Sequence, residues 1–304
     1  MMKNILITGA SGFLGGYVEA LLLQYRGYEV YSLIRNSSAT IGASDDRDIR
    51  YLSMADFCNG KVKFDETDVL VHLAFGRAHR GNEEISRSVA FTSRVLHAAK
   101  ASGIKNFINV SSQEVYGESV LPPWNETMEP SPSTMYGLAK YASELLSNML
   151  ATSDISHHTS LRLAALLGKE SSSRMVNKFV ENAIARLSIK IGGGSQFFSQ
   201  LDVRDAADAI VSLLGVEPKN WKRVYNLGHT RSYGILEIAD IVAKVAVEMG
   251  LPKPQIEIRE SDAKLFAEMD SSLFYGDTGW RPKYDMYDTV RSIFMYQLAG
   301  ENSG

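Results

Sequence analysis

Apolar positions recur along this chain with two different periods. Residues 3–8, 29–34, 49–52, 68–73, 106–110 and 158–163 are short strand-like runs, and 68–73 is nearly all apolar, as expected of a strand covered on both faces. Between them lie longer stretches with helical spacing, at 13 to about 24, 82–102 and 133–149. Regular alternation of strand and helix predicts a parallel α/β sheet with helices on both faces. Beyond residue 168 the pattern loosens into helices at 175–187, 203–214 and 235–249, a strand at 223–227, an extended segment at 255–258 and a final helix after residue 282. These later elements predict a smaller α/β lobe. The expected division is one domain of residues 1–165 plus 200–228 and a substrate-binding lobe of residues 166–199 plus 229–304.

The helix at 133–149 carries the most pointed chemistry. Tyr136 and Lys140 are four residues apart and share a face. Leu138, Ala142, Leu145, Leu146 and Met149 fall on a different face, so the helix is expected to bury that apolar stripe and hold Tyr136 and Lys140 in a cleft. A phenol titrates near ~10, too high for acid-base work at neutrality, and a nearby cation favours the phenolate. Lys140 is therefore expected to draw the Tyr136 pKa down. At the other end of the chain, the strand at 3–8 runs into Gly9, Ser11, Gly12, Phe13, Leu14 and Gly15 and then into a helix. Glycines permit a tight turn and close approach to a pyrophosphate, and free amides at a helix start receive the negative charge. Strand, glycine loop and helix together predict a Rossmann-type, doubly wound, dinucleotide-binding sheet. Leu73, Ala74, Phe75 and Val110 line the carboxyl ends of the fourth and fifth strands, on the ligand side of such a sheet. The second strand ends at Ile34 and is followed by Arg35, with no carboxylate to receive a ribose 2'-hydroxyl, so NADP(H) is expected over NAD(H), which stays open.

Composition removes several alternatives. A net charge of -3 with no basic cluster argues against nucleic acid. No apolar run approaches a membrane span, and a single cysteine, Cys58, suits a reducing cytoplasm. Of six histidines only His157 and His158 are neighbours, and adjacent strand residues point to opposite faces, so no metal is expected.

Four motifs in order, Thr8-Gly-Ala-Ser-Gly-Phe-Leu-Gly15, His72-Leu-Ala, Ser111-Ser-Gln-Glu-Val-Tyr-Gly117 and Tyr136-Gly-Leu-Ala-Lys140, resemble the extended short-chain dehydrogenase/reductases, specifically the NAD-dependent epimerase/dehydratase family acting on nucleotide sugars. The resemblance continues through 201–207, 225–228 and 279–282. It implies catalysis by Ser112, Tyr136 and Lys140: Ser112 bonds the reacting oxygen, Tyr136 exchanges its proton and Lys140 holds the nicotinamide ribose. Ser111 is the alternative serine. Ser112, Gln113, Glu114 and Arg259 are the implied substrate contacts. Two departures stand out: Ala165 replaces a usual Asn after the sixth strand, and Phe198 replaces a diphosphate-gripping Arg. Gln113 lies where some dehydratases have an acid, and an amide cannot donate a proton as one. The resulting expectation is an NADPH-dependent 4-ketosugar reductase, with an NAD-dependent nucleotide-sugar 4-epimerase or a dehydratase as the alternative. A non-catalytic NADP(H) sensor is a third reading, opposed by the intact Ser112, Tyr136 and Lys140. Family likeness also implies a homodimer through the helices of Tyr136 and of 82–102, with Tyr141, Leu150, Phe91, Val95 and Leu96 adding apolar surface.

Overall fold

Seven parallel strands form the central sheet of the computed structural model, which describes residues 3–25, 27–34, 49–76, 81–151, 157–171, 174–261 and 266–301. In chain order the strands are β1 (Lys3–Thr8), β2 (Tyr28–Ile34), β3 (Ile49–Ser53), β4 (Val69–His72), β5 (Asn106–Ser112), β6 (His157–Leu163), β7 (Ala165–Leu167), β8 (Ile189–Gly192), β9 (Phe197–Phe198), β10 (Gln200–Asp202), β11 (Val224–Leu227), β12 (Tyr233–Gly234), β13 (Ile256–Arg259) and β14 (Phe266–Ala267). The helices are α1 (Phe13–Leu22), α2 (Met54–Cys58), α3 (Asn82–Ser102), α4 (Met135–Ala151), α5 (Met175–Ile184), α6 (Val203–Leu214), α7 (Ile235–Glu248), α8 (Ser272–Thr278) and α9 (Met286–Glu301). The main sheet runs β11-β6-β5-β4-β1-β2-β3, with the order reversing between β1 and β4. That reversal opens the crevice where doubly wound sheets bind ligands.

Alternation along β1 sends Ile5 and Ile7 to the face packed by α1 and α6, and Leu6 to the face where Val95, Leu96 and Ala99 of α3 pack. A third core joins α5, α7 and α9 around Val180, Ile238, Val242, Val290 and Phe294. The short pairs β10-β7 and β13-β8 and the three-stranded β12-β9-β14 lie outside the main sheet and, apart from the segment that becomes β13, had no strand-length signal in the sequence. Helix α5 ends at Ile184, short of the expected 187, because Arg186 adopts a left-handed backbone (φ 57°) and Leu187 N–H returns to Asn182 O.

Helix α4 departs most from expectation. Its sheet-facing side is Ala139, Lys140, Ser143, Glu144 and Ser147, all buried, whereas Leu138 (51 % exposed), Leu145 and Met149 (69 % exposed) face outward. Two features let a polar face be buried: the hydroxyls of Ser143 and Ser147 bond back to Lys140 O and Ser143 O, and the charged groups find partners described below. Val95 and Leu96 of α3, expected at the surface, are instead fully buried in the sheet core. The side chain of Leu150 lies outside the described residues.

Candidate active site

The glycine loop sits flush on the end of β4. Gly9 has φ 75°, and a Cβ there would lie 2.8 Å from the Ala74 backbone, while one on Gly15 would collide with Gly9 O at 2.0 Å. Only glycine allows this close passage at either position. Ser11 and Gly12 are exposed at the start of α1, whose N-cap carries no side-chain hydrogen bond, so the first helical amides are open to an anion. Phe13 lies over Gly168, and Leu14 is buried in the core, leaving its backbone rather than its side chain for a ligand. Behind the loop, Ala74 N–H donates to Thr8 Oγ1 at 3.2 Å, and His72 bridges Thr8 Oγ1 (2.8 Å) and Thr92 Oγ1 (2.9 Å). Thr92 donates to Ser88 O, so it must accept from His72 Nε2–H, which leaves Nδ1 to accept from Thr8. Burial depresses the His72 pKa to about 3, with the Lys140 charge adding to the effect, and the ring stays neutral.

Leu73, Ala74 and Phe75 are half-buried at the mouth of β4. The Phe75 ring meets Tyr136 edge-on at 5.9 Å and receives the Lys140 ammonium on its face at 4.0 Å. Lys140 Nζ donates to Val110 O at 2.7 Å. Tyr136, Lys140, Phe75 and Val110 are thus brought together.

The start of α4 packs against the turn that follows β5. A Cβ on Gly137 would lie 2.3 Å from Glu114 O, so glycine beside Tyr136 permits the contact. Thr134 clamps the same junction: its hydroxyl accepts from Gly137 N–H at 2.9 Å and donates to Glu114 Oε2 at 2.9 Å. Sequence reasoning missed Thr134, although a Thr three residues before Gly137 is a recognisable cap signal. The two candidate serines diverge. Ser111 is buried and donates to Glu144, while Ser112 is half-buried and accepts from Glu114 N–H at 3.2 Å. Gln113 is half-buried, and its Oε1 is buried with no hydrogen-bond partner among the described residues. Glu114 is exposed.

Two expectations for this group need correction or fall outside the structure. Tyr136 is pushed up, not down: burial dominates, the Glu114 charge adds to it, and only the Arg174 guanidinium opposes it. Lys140 is itself lowered to about 7 by burial and turned toward Val110 O, so it does not supply the phenolate-stabilising field in this state. Arg35 lies outside the described residues. Arg174, the N-cap of α5, went unnoticed because nothing local distinguishes it in sequence. Arg259 is exposed at the end of β13, where its carbonyl accepts from Gly193 N–H at 2.9 Å, beside the Gly192–Gly194 turn. Among the described residues no three His, Cys, Asp or Glu side chains gather as a metal site. No described helix is long and apolar enough to cross a membrane.

A model of the NAD dependent epimerase/dehydratase family matches residues 5–228. The chain belongs to that family. Its sheet and flanking helices are those of the extended short-chain dehydrogenase/reductase enzymes to which the family's epimerases and dehydratases belong. A dTDP-glucose 4,6-dehydratase of Streptomyces griseus is 25% identical over 95% of this chain and 92% of its own. A trifunctional UDP-glucose 4,6-dehydratase/UDP-4-keto-6-deoxy-D-glucose 3,5-epimerase/UDP-4-keto-L-rhamnose-reductase of Arabidopsis thaliana is 27% identical over 80% of this chain, which spans 40% of that protein's length. The crystal structure of a UDP-glucuronic acid 4-epimerase from Bacillus cereus, in complex with UDP-glucuronic acid and NAD, superposes with a TM-score of 0.80 at 20% identity, covering 97% of this chain and 99% of that one. At that identity the likeness concerns the fold. Taken together, these matches favour an epimerase or dehydratase over the ketosugar reductase expected from sequence.

Proposed function

We propose that this enzyme is an NAD-dependent nucleotide-sugar 4-epimerase, with Ser112, Tyr136 and Lys140 as its reacting group. The observation that carries the reading is the composition of the turn after β5: beside Tyr136 it offers the amide of Gln113 and a Glu114 carboxylate engaged by Thr134. Loss of a sugar hydroxyl needs an acid to protonate the leaving oxygen, which Gln113 cannot be. Oxidation followed by reduction at one carbon needs no such acid. The NADPH reductase reading depended on Arg35, whereas NAD is the cofactor bound by the Bacillus cereus epimerase.

The open amides at the start of α1 and the Gly9–Ala74 contact fit a dinucleotide pyrophosphate. A dinucleotide held by the glycine loop and Lys140 would supply the hydride acceptor for oxidation of the sugar carbinol carbon and the hydride donor for its re-reduction from the opposite face. Burial keeps Tyr136 a phenol in this state, so its ionisation has to accompany cofactor binding; as the phenolate it takes the sugar hydroxyl proton on oxidation and gives it back on reduction. Ser112 Oγ donates to the same sugar oxygen, and Gln113 Oε1 accepts from a neighbouring sugar hydroxyl. Lys140 holds the cofactor ribose through the ammonium now bonded to Val110 O. The Arg174 charge is felt at Tyr136, and Arg259 lies beside the glycine turn, so both are available to the negative charge of a nucleotide diphosphate. In this reading residues 1–165 plus 200–228 hold the cofactor and the remainder holds the sugar nucleotide.

The exposed face of α4, with Met135, Leu138, Leu145 and Met149, is covered by a second copy of the chain. A cytoplasmic setting fits the exposed free thiol of Cys58. The test is incubation of the purified enzyme with NAD and UDP-hexoses, followed by NMR. Equilibration of the two C4 epimers without net change in NADH supports the reading. Accumulation of a 4-keto-6-deoxy sugar, or turnover only with NADPH and a ketosugar, overturns it.

A further inference from the structure

Glu144 lies one helical turn beyond Lys140 on the buried face of α4, and the two side chains are 2% and 3% exposed. Its carboxylate is fully engaged: Arg162 of β6 donates from Nε to Oε1 at 3.1 Å and from Nη2 to Oε2 at 2.8 Å, and Ser111 of β5 also donates to Oε1. The guanidinium rests 4.9 Å from the centre of the Tyr116 ring, and Tyr116 donates to Asn226 Oδ1 of β11 at 2.7 Å. One clamp therefore ties α4 to three neighbouring strands directly behind the reacting group. We infer that Glu144, gripped by Arg162 and Ser111, is the positioning residue that keeps Lys140 charged and in place beside Tyr136.

The physical argument rests on what a buried ammonium needs. Burial away from water disfavours the charged lysine, and the Val110 carbonyl and the Phe75 ring answer it only with dipoles and a quadrupole. Glu144 is the group whose charge pushes back, and Lys140 comes to rest at about 7. A lone carboxylate there would itself be unfavourable. Arg162 makes its burial tolerable through a two-pronged contact and fixes its position. The grip on Ser111 has a second consequence, because it turns that hydroxyl away and leaves Ser112 at the site.

The other ionisable groups facing Lys140 and its clamp are Tyr136 on α4, His72 on β4, Tyr116 after β5 and Arg162 on β6. Burial pushes Tyr136 and Tyr116 up and holds His72 down at about 3, while for Arg162 burial is outweighed by the Glu144 carboxylate, which holds it up. In this state these four keep one protonation state from roughly pH 5 to 9, so Lys140 is the group that titrates. An enzyme that needs its ammonium loses activity as pH rises through the Lys140 pKa. Removing the Glu144 charge lowers that pKa and moves the alkaline limb to lower pH.

This inference rests on the role given above to Lys140, so its test includes a readout that needs no substrate. Isotopically labelled lysine reports the Lys140 titration by NMR in the full chain, and the pH profile of turnover is recorded beside it. Glu144→Gln should shift both downward by about one pH unit. Glu144→Gln combined with Arg162→Gln leaves no unpaired guanidinium and should show a downward shift of the same sign even if the single variant does not fold, smaller because the Arg162 charge that repels the ammonium is removed with it. Arg162→Lys keeps an ion pair and should restore the wild-type titration. Variants that melt earlier while Lys140 titrates as in wild type would reduce the clamp to a structural brace and overturn the inference. A shifted Lys140 titration with no turnover of any nucleotide sugar would refute the proposed reaction instead and leave the clamp standing.

Discussion

Helices α4 and α6 flank the same sheet on opposite faces, and they bury opposite kinds of surface. Helix α6 follows the ordinary rule: Val203, Ala206, Ala207, Ile210, Leu213 and Leu214 are buried among the sheet's aliphatic side chains. Helix α4 inverts it, burying Lys140, Ser143, Glu144 and Ser147 and turning Leu138 and Met149 outward. The sequence of α6 is what packing alone would select. That of α4 makes sense only if the polar groups are needed at the sheet and the apolar stripe has another surface to meet. Departures of this kind gather where function overrides packing.

The strongest way to break the comparison is chemical. Tyr136→Phe removes a hydroxyl but leaves a ring that packs on Phe75, so turnover should fall roughly a thousandfold, within the range for a lost general acid-base group. NAD binding and thermal stability should hardly change. A variant that still turns over sugar at near-normal rate would mean that the polar face of α4 is not the reacting surface.

Core truncation should separate the two helices next. Ile210 of α6 is fully buried, and Ile210→Ala should destabilise the protein by about 2 to 5 kcal/mol, read from denaturant midpoints, with turnover per folded molecule unchanged. Leu138→Ala on α4 should stay within ~0.5 kcal/mol in the isolated chain. If the two substitutions cost the same, the assignment of buried and exposed faces is wrong.

That inversion also explains what could be read in advance. The bounds of α3 and α6, the glycine loop and the pairing of Tyr136 with Lys140 were legible, since each depends on residues close in sequence. Which face of α4 is buried was not legible. Periodicity locates an apolar stripe but cannot say whether the stripe meets this chain's sheet or something else. Val95 and Leu96 erred in the other direction, read as surface and found in the core. The rise in Tyr136 pKa escaped notice because spacing suggests a cation nearby but says nothing of how much water burial removes. Glu144 and Arg162 are 18 residues apart, on α4 and β6, and only the sheet's register brings them together.

A charge on the outward stripe probes the surface it meets. Leu138→Glu should convert a dimer to monomer in sedimentation at micromolar concentration while leaving the fold intact, because a half-exposed side chain tolerates a carboxylate in water but not at a closed apolar contact. An unchanged dimer would place the interface elsewhere, and a wild-type chain that is monomeric throughout would leave the stripe of α4 without its proposed cover.

The smallest effect sharpens the contrast between the buried carboxylates. Glu144 has an arginine; among the described residues Asp205 of α6 accepts only from the backbone, from Lys283 N–H at 3.0 Å and Tyr284 N–H at 2.9 Å. Burial raises Asp205 to about 6 against an ordinary 3.8, so the native state binds its proton more tightly than the unfolded chain does. The stability linked to this group is present in full below about 3.8 and is lost as pH rises through about 6. Between those values the melting temperature of wild type, measured relative to Asp205→Asn, should fall as pH rises. The Asn variant keeps one acceptor but sets an amide donor against the other backbone N–H, so it should be less stable overall, and the slope of the difference with pH is the quantity that decides. A difference that is flat from pH 4 to 6 would mean that the two backbone donors hold the carboxylate charged as firmly as Arg162 holds Glu144, and that the two helices differ in what they bury but not in how they stabilise a buried charge.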